Sequence, residues 1–323
     1  MPPQRRKPLI RRSTPAGEHR PVLLDEGLAV LNPQPGDVAV DCTLGLAGHS
    51  VPVLERVGPT GKLIGLDWDL DQLPIAREKL KACGLPFSLH HSNFAALPTI
   101  LASEGIDKVD LLLADLGMSS RQVDNPDRGF SYVRDGPLDM RMDRSHGRTA
   151  AEILETISEP DLVNALRDLG DEPEAEIIAR ALVNTRQSQP FQRTGDVAKV
   201  IGEVVGQPTR RETGWRLRPA RNQWQSHPAA RTFQALRLLV NRELANLEHL
   251  LRILPQCLKA GGRAAIISFH SGEDRMVKTA FRQGLQTGVY QAIAPEPIRA
   301  SAEEKISNPR SRSAKLRWAR VKN

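Results

Sequence analysis

No apolar run in the 323 residues reaches the roughly 18 to 20 that a membrane span needs, so no membrane partner is expected. The opening stretch, MPPQRRKPLIRRSTPAGEHR, is basic but lacks an apolar core. It therefore does not read as a secretory signal, and a cytoplasmic location is expected. Cysteine is scarce: Cys42, Cys83 and Cys257 are scattered and odd in number, which excludes a disulfide framework and leaves them as small buried hydrophobes. The eight histidines show no HxxxH spacing and the cysteines no CxxC, so no metal site is expected. No internal repeat is apparent. What remains is a globular composition, 40% hydrophobic and 26% charged, with a length that suits one large domain or two moderate ones. The net charge of +7 points to a polyanionic partner more than to an acidic small molecule.

The chain is organised around DVAVDCTLGLAGHSVPVLERVGPTGKLIGLD, from Asp37 to Asp67. It reads as a buried strand (Val38 to Asp41), a glycine-bearing loop (Gly45 to Gly48), a helix with Pro52 in its first turn, and a second strand (Lys62 to Leu66) that ends at Asp67. Strand, glycine loop, helix and a distant acid form the layout of a Rossmann-type nucleotide site. Upstream, residues 1–18 form a basic arm, either a solvated tail or a transient RNA contact. A short helix, Glu26 to Leu31, follows. Downstream, Asp69 or Asp71 can cap a helix bearing Leu73, Ala76 and Leu80, and Gly84 ends it. Phe87 to His90 is a third strand, Leu97 to Ser103 a helix, and Val109 to Asp115 a strand apolar enough to be covered on both faces. The alternation is the α/β signature. From Leu116 to Asp143 no periodicity survives. The segment is crowded with Asp, Arg, Gly and aromatics, and a loop of that length points to function.

Residues 149 to about 206 are helical, with breaks at Glu159-Pro160, Gly170 and Gln189-Pro190 and with Thr194 capping the last helix. The stretch QPTRRETGWRLRPARNQWQSHPAAR then interleaves arginines with Trp215 and Trp224, either for phosphate pairing and base stacking or as a solvated loop whose tryptophans dock on the core. From Pro228, a stripe of Phe233, Leu236, Val240, Leu244, Leu247, Leu251 and Leu254 predicts one long amphipathic helix ending near Pro255. A turn at Lys259 to Gly262 leads into a fifth strand, Arg263 to Phe269. Strands near Val289 to Ile293 and Ala314 to Val321 close the chain as edges. The α/β domain is thus expected over 19–143 plus 227–323, interrupted by a helical insert over 144–226.

The loop is a poor dinucleotide fingerprint, since G-x-G-x-x-G would need glycine where Ala47 and Ser50 stand. Asp41, Asp67 and Asp115 end strands one, two and four, where an open parallel sheet forms its ligand crevice. Three carboxylates suit a cation better than a polyphosphate. S-adenosylmethionine offers ribose hydroxyls to Asp67, an ammonium to Asp41, and a sulfonium.

Four longer stretches carry a resemblance: DLGMSSRQVDNPDRGFSYVRDGPLDMRMD at 115–143, HPAARTFQALR at 227–237, ISFHSGEDRMVK at 267–278 and NPRSRSAKLR at 308–317. On these the chain resembles the bacterial 16S rRNA (cytosine-N4)-methyltransferase family, RsmH or MraW, from about Glu18 to Arg320. The resemblance implies a class I S-adenosylmethionine-dependent methyltransferase fold, Rossmann-like, with an inserted helical subdomain for substrate recognition. It implies S-adenosylmethionine as cofactor, and as partner the small ribosomal subunit, with a cytosine of the 16S rRNA decoding centre, position 1402 in conventional numbering, as target. A homodimer is compatible with it. Carried over, the cofactor contacts fall on Ala47, Gly48, His49, Asp67, Phe94, Asp115 and Gln122. Where the family more often shows DGTFGRGGHS, this chain has DCTLGLAGHS.

Methyl transfer of this kind is an in-line displacement that needs no metal. The amino group needs an acceptor for its proton, and Asp is the natural reader of a cytosine amine. Asp115 is the first candidate, with Asp139 and Asp143 behind it. Phe130 or Tyr132 would hold the extruded base, His270 would border its pocket, and Arg128, Arg134, Arg141, Arg231 and Arg237 would meet rRNA phosphates. A non-catalytic assembly factor is disfavoured by the three intact acids. A DNA amino-methyltransferase is disfavoured because no (Asp/Ser/Asn)-Pro-Pro-(Tyr/Phe) follows strand four.

Overall fold

The computed structural model describes residues 20–205 and 227–323. The basic arm and the Arg/Trp loop with Trp215 and Trp224 lie outside the described residues. In chain order the elements are α1 (Leu24–Leu31), β1 (Val38–Asp41), α2 (Ser50–Val57), β2 (Lys62–Asp67), α3 (Leu73–Lys81), β3 (Phe87–His91), α4 (Leu97–Ser103) and β4 (Val109–Asp115). Helices α5 (Ser120–Asp124), α6 (Ala150–Thr156), α7 (Glu159–Gly170), α8 (Ala175–Arg186), α9 (Thr194–Val205), α10 (Ala230–Asn241) and α11 (Glu243–Cys257) follow. The chain closes with β5 (Leu258–Ser268), α12 (Ser271–Gln286), β6 (Tyr290–Ile293), α13 (Ala302–Ser307) and β7 (Lys315–Val321). Among the described residues, no helix is long and apolar enough to cross a membrane.

Two compact units emerge, one of Met1–Gly117 with His249–Asn323, the other of Met118–Glu248. The first holds a seven-stranded sheet in the order β3-β2-β1-β4-β5-β7-β6. Strands β1 to β5 run parallel, and β7 pairs antiparallel with both β5 and β6. This is the doubly wound α/β sheet expected from the alternation of strand and helix. Strand β4, VDLLLAD, is buried almost throughout, as a central parallel strand must be. Under the sheet Leu54, Leu63, Leu80, Leu111 and Leu113 form one apolar cluster, and Leu23, Ile267 and Leu316 belong to another.

Three local expectations change. Gln72, not Asp69 or Asp71, stands before the first residue of α3; Asp69 is buried and accepts the Gln72 side-chain amide at 3.3 Å. Strand β5 starts at Leu258, with Lys259 to Gly262 looped out where the β4 register slips between Val109 and Leu111. And β7 is interior, not an edge. Of its basic residues Arg317 is buried, with its Nε 2.6 Å from an oxygen of Asp274.

The second unit is helical. Leu162, Leu166, Ile178, Leu182, Ile201, Phe233 and Leu236 fill its core. Gly170 at the end of α7 allows close packing, since a Cβ there would lie 2.7 Å from the carbonyl oxygen of Arg231. The predicted long helix is broken in two. Arg242 takes a left-handed conformation (φ 50°) between α10 and α11, and its N–H closes back on Leu238 and Leu239. The apolar stripe runs on across the break, so sequence periodicity misses it. Pro160 sits in the first turn of α7, so the helix begins at the expected break, capped by Ser158. Thr194 opens α9, but its hydroxyl accepts from Gly136 N–H at 3.1 Å. The unit also takes in 118–143 and 227–248, which the sequence groups with the sheet, because Phe130, Leu138, Met140 and Phe233 belong to the helical core.

Candidate active site

Asp41, Asp67 and Asp115 stand at the C-terminal ends of β1, β2 and β4, adjacent strands of the sheet. Between them runs the loop from Cys42 to His49. Its path is fixed by backbone bonds to both neighbouring strands, Cys42 N–H to Leu113 oxygen and Leu44 N–H to Leu66 oxygen. Gly65 on β2 leaves room for it: a Cβ there would lie 2.9 Å from Leu44 and 2.8 Å from Leu89. Gly45 and Ala47 both adopt left-handed backbone, φ 51° and 59°. Glycine does so freely, whereas alanine is strained, and Ala47 is fully buried. Gly48 is pinned under Pro21, whose ring would lie 2.8 Å from an added Cβ.

The three acids differ in what they do. Asp41 is buried and engaged: one oxygen accepts Thr43 N–H at 3.0 Å, the other the Ser50 hydroxyl at 2.6 Å. Burial raises its pKa, and Ser50 offsets part of that. It holds the loop through these two contacts. Asp67 accepts Gly45 N–H at 2.6 Å and Asp69 N–H at 2.7 Å, one per oxygen, which leaves each oxygen a further lone pair. Burial pushes its pKa up to about 7 despite those two bonds. Asp115 is half-buried, and its amide donates to the Thr43 hydroxyl at 2.6 Å. Its Oδ2 lies 3.8 Å from His49 Nδ1, while Oδ1 is buried with no hydrogen-bond partner. Burial raises its pKa to about 6; His49 lowers it, and Asp41 and Glu273 raise it. A buried carboxylate oxygen without a donor is a place for a ligand's N–H.

His49 is itself buried, its Nε2 2.9 Å from the carbonyl oxygen of Val22. Phe94 opens a 3₁₀ turn (Phe94–Ala96) just past β3 and is half-buried. The turn follows Ser92, whose N–H donates to the Asp67 carbonyl. His270 does not stand free at the end of β5: it caps α12 in a reciprocal box with Glu273, its Nε2 3.0 Å from that carboxylate.

The remaining residues singled out from the sequence lie in the helical unit. Gln122 is buried and forms a capping box with Ser119 at the start of α5. Asp139 is clamped by Arg141 through two bonds of 2.8 and 3.0 Å, with Arg144 at 3.6 Å. Burial raises its pKa, but the Arg141 bonds outweigh it and the net shift is down. Asp143 accepts from Ser145 at 2.5 Å and faces His146 at 3.2 Å. Arg128 is buried and donates to the carbonyls of Arg141 and Met142. Arg237 is buried against Glu243 at 2.9 Å. Phe130 is 5% exposed in the helical core. These three are therefore internal ties and core, not a surface for RNA. Arg231 is exposed, and Arg134 is exposed beside Asp124 at 3.3 Å. Tyr132 is half-buried, stacked on His227 at 4.9 Å and edge-on to Phe233 at 5.6 Å. His227 is the residue that sequence reasoning passed over here, although it opens the HPAARTFQALR stretch.

The chain is 44% identical over 320 residues to a protein of Halorhodospira halophila, covering 94% of each chain. It is 42% identical over 315 residues to one of Citrifermentans bemidjiense, covering 93% of this chain and 97% of the other. Both are called Ribosomal RNA small subunit methyltransferase H. Residues 16–322 match the MraW methylase family, and with nearly the whole chain matched, the protein belongs to that family.

Proposed function

We propose that this protein methylates the exocyclic N4 of a cytosine, position 1402, in the decoding centre of 16S rRNA within the small ribosomal subunit. The relatives' shared name supports the rRNA of the small subunit as substrate. S-adenosylmethionine is the methyl donor and supplies an electrophilic methyl on a sulfonium. Asp67, with a lone pair open on each oxygen, suits ribose hydroxyls, and the Gly45 amide bonded to it ties the glycine loop to this acid. Phe94, just past β3, gives the adenine an apolar neighbour. Gln122 is retained as a cofactor contact on the family resemblance alone.

The observation that carries the reaction is Asp115 Oδ1, buried and without a donor. A carboxylate there accepts one N–H of the cytosine amine, orients the nitrogen lone pair, and takes the proton as nitrogen gains its methyl. With a pKa of about 6 it is ionised at neutral pH, yet close enough to neutrality to hold a proton. Asp143 remains a second acceptor, whereas Asp139 is committed to Arg141. On the RNA side, Tyr132 for the base and Arg134 and Arg231 for phosphates are the candidates that burial leaves. Mapping of methylated nucleotides in rRNA from cells lacking the protein tests the reading. The expected result is loss of one N4 methyl at cytosine 1402, restored by the wild-type gene and not by Asp115→Asn. An unchanged map, or a loss at another nucleotide, overturns it. Wild-type single-turnover rates in Asp115→Asn at saturating cofactor would remove Asp115 as the acceptor.

A further inference from the structure

We propose that His49 is a positioning residue for Asp115, its Nδ1 sharing the proton that Asp115 accepts from the substrate amine. The proposal rests on the role given to Asp115 above. His49 closes the glycine loop at the N-cap of α2, and its ring is buried between Val22 and Asp115. A carbonyl oxygen can only accept, so the 2.9 Å contact with Val22 places the hydrogen on Nε2. Nδ1 is then the ring's open position, and it lies 3.8 Å from Asp115 Oδ2. A bare Nδ1 lone pair against a carboxylate is repulsive; one proton between them turns the contact into a bond.

The carboxylate thus has two separate faces. Oδ2 is turned to His49, and Oδ1 is buried without a donor. The charged groups facing Asp115 from neighbouring elements are Asp41 on β1 and Glu273 on α12, both anionic, with His49 opposing them. In the transfer, nitrogen forms its bond to the methyl while sulfur keeps the electron pair of the bond that breaks. The amine N–H then breaks, its electron pair returns to nitrogen, and its proton goes to Asp115, shared through Oδ2 with His49 Nδ1. Solvent removes it after the product leaves.

The test uses His49→Gln, whose side-chain amide can keep the bond to Val22 but has no second basic site. Carboxyl carbon NMR of the ligand-free full chain, with the Asp115 signal assigned from Asp115→Asn, follows the titration directly. The Asp115 midpoint is expected to be displaced by about one pH unit in His49→Gln, with the acidic limb of the single-turnover rate displaced by the same amount in the same direction. An unmoved midpoint overturns the proposal. Should the variant not fold, ring nitrogen NMR of wild-type His49 decides: Nδ1 must gain its proton in the same pH range in which Asp115 titrates, and a separate step sinks the idea. Asp115→Asn at wild-type rate would instead defeat the reading of Asp115 as acceptor, with the two titrations standing or falling independently.

Discussion

Ala47 carries a cost that its neighbours in the loop do not. It is fully buried at φ 59°, where an L side chain loses about 1 kcal/mol or more relative to glycine. A β-branched residue is worse off in that conformation, and its added methyls would enter a fully buried position. Ala47→Val is therefore expected to destabilise the fold by about 2–3 kcal/mol, read as a lowered denaturant midpoint with an unchanged slope. Asp67 and Asp115 give a second residue-scale outcome. Their pKa values of about 7 and 6 lie above the ordinary carboxylate range, mainly through burial. A group raised in the folded state lends stability at low pH and loses it as pH climbs through the raised value. The ligand-free protein should lose this contribution between about pH 4 and 7. Affinity for the cationic cofactor should rise as the two folded-state carboxyls ionise, at least about tenfold from pH 5.5 to 8 by calorimetry. A pH-independent affinity would contradict the assignment. The acids could be placed from sequence because strand ends are readable; their division of labour could not. Only the Ser50 and Thr43 contacts reveal that Asp41 serves the loop.

Among the elements, the strands of the sheet were the most legible. Strands β1 and β4 and helix α4 have the bounds that periodicity predicts, because short apolar runs between turn residues leave one reading. The junction of α10 and α11 was not legible, since Leu236, Val240, Leu244 and Leu247 continue one stripe through Arg242. The break there coincides with a tertiary tie. Asn241, just before Arg242, is buried, donates to the carbonyls of Met140 and Arg237 at 2.8 and 2.9 Å, and accepts Met142 N–H at 2.8 Å. One side chain thus fastens the irregular 118–143 segment to α10. Asn241→Leu strands a backbone N–H and C=O, and about 2–4 kcal/mol of stability should go with them. Hydrogen exchange at the Met142 amide is expected to speed up in step, and unaltered protection there would contradict this account. Buried arginines were illegible for a related reason: Arg128 and Arg237 look like phosphate ligands until their partners, 13 and 6 positions away, are seen.

For the whole molecule the net charge of +7 gains meaning from which cations face water. Arg231 and Arg134 do, whereas Arg128 and Arg237 are internal. Arg231→Ala should leave the melting temperature unchanged and reduce the slope of log binding against log salt by about 1 for an rRNA fragment. Arg128→Ala should do the reverse, with a lower melting temperature and an unaltered slope. Equal effects on both measures in the two variants would refute the division.

Strand β7 has a consequence in time. It is the last of the seven strands to be synthesised, yet it lies between β5 and β6, and among the described residues β6 pairs with no other strand of the sheet. Until residue 321 is available, β5 presents an open hydrogen-bonding edge and β6 has nothing to pair with. Removing β7 would take out an interior strand of the sheet, so loss of this short terminal segment should be felt at β5 and, through its pairing with β4, at Asp115 itself.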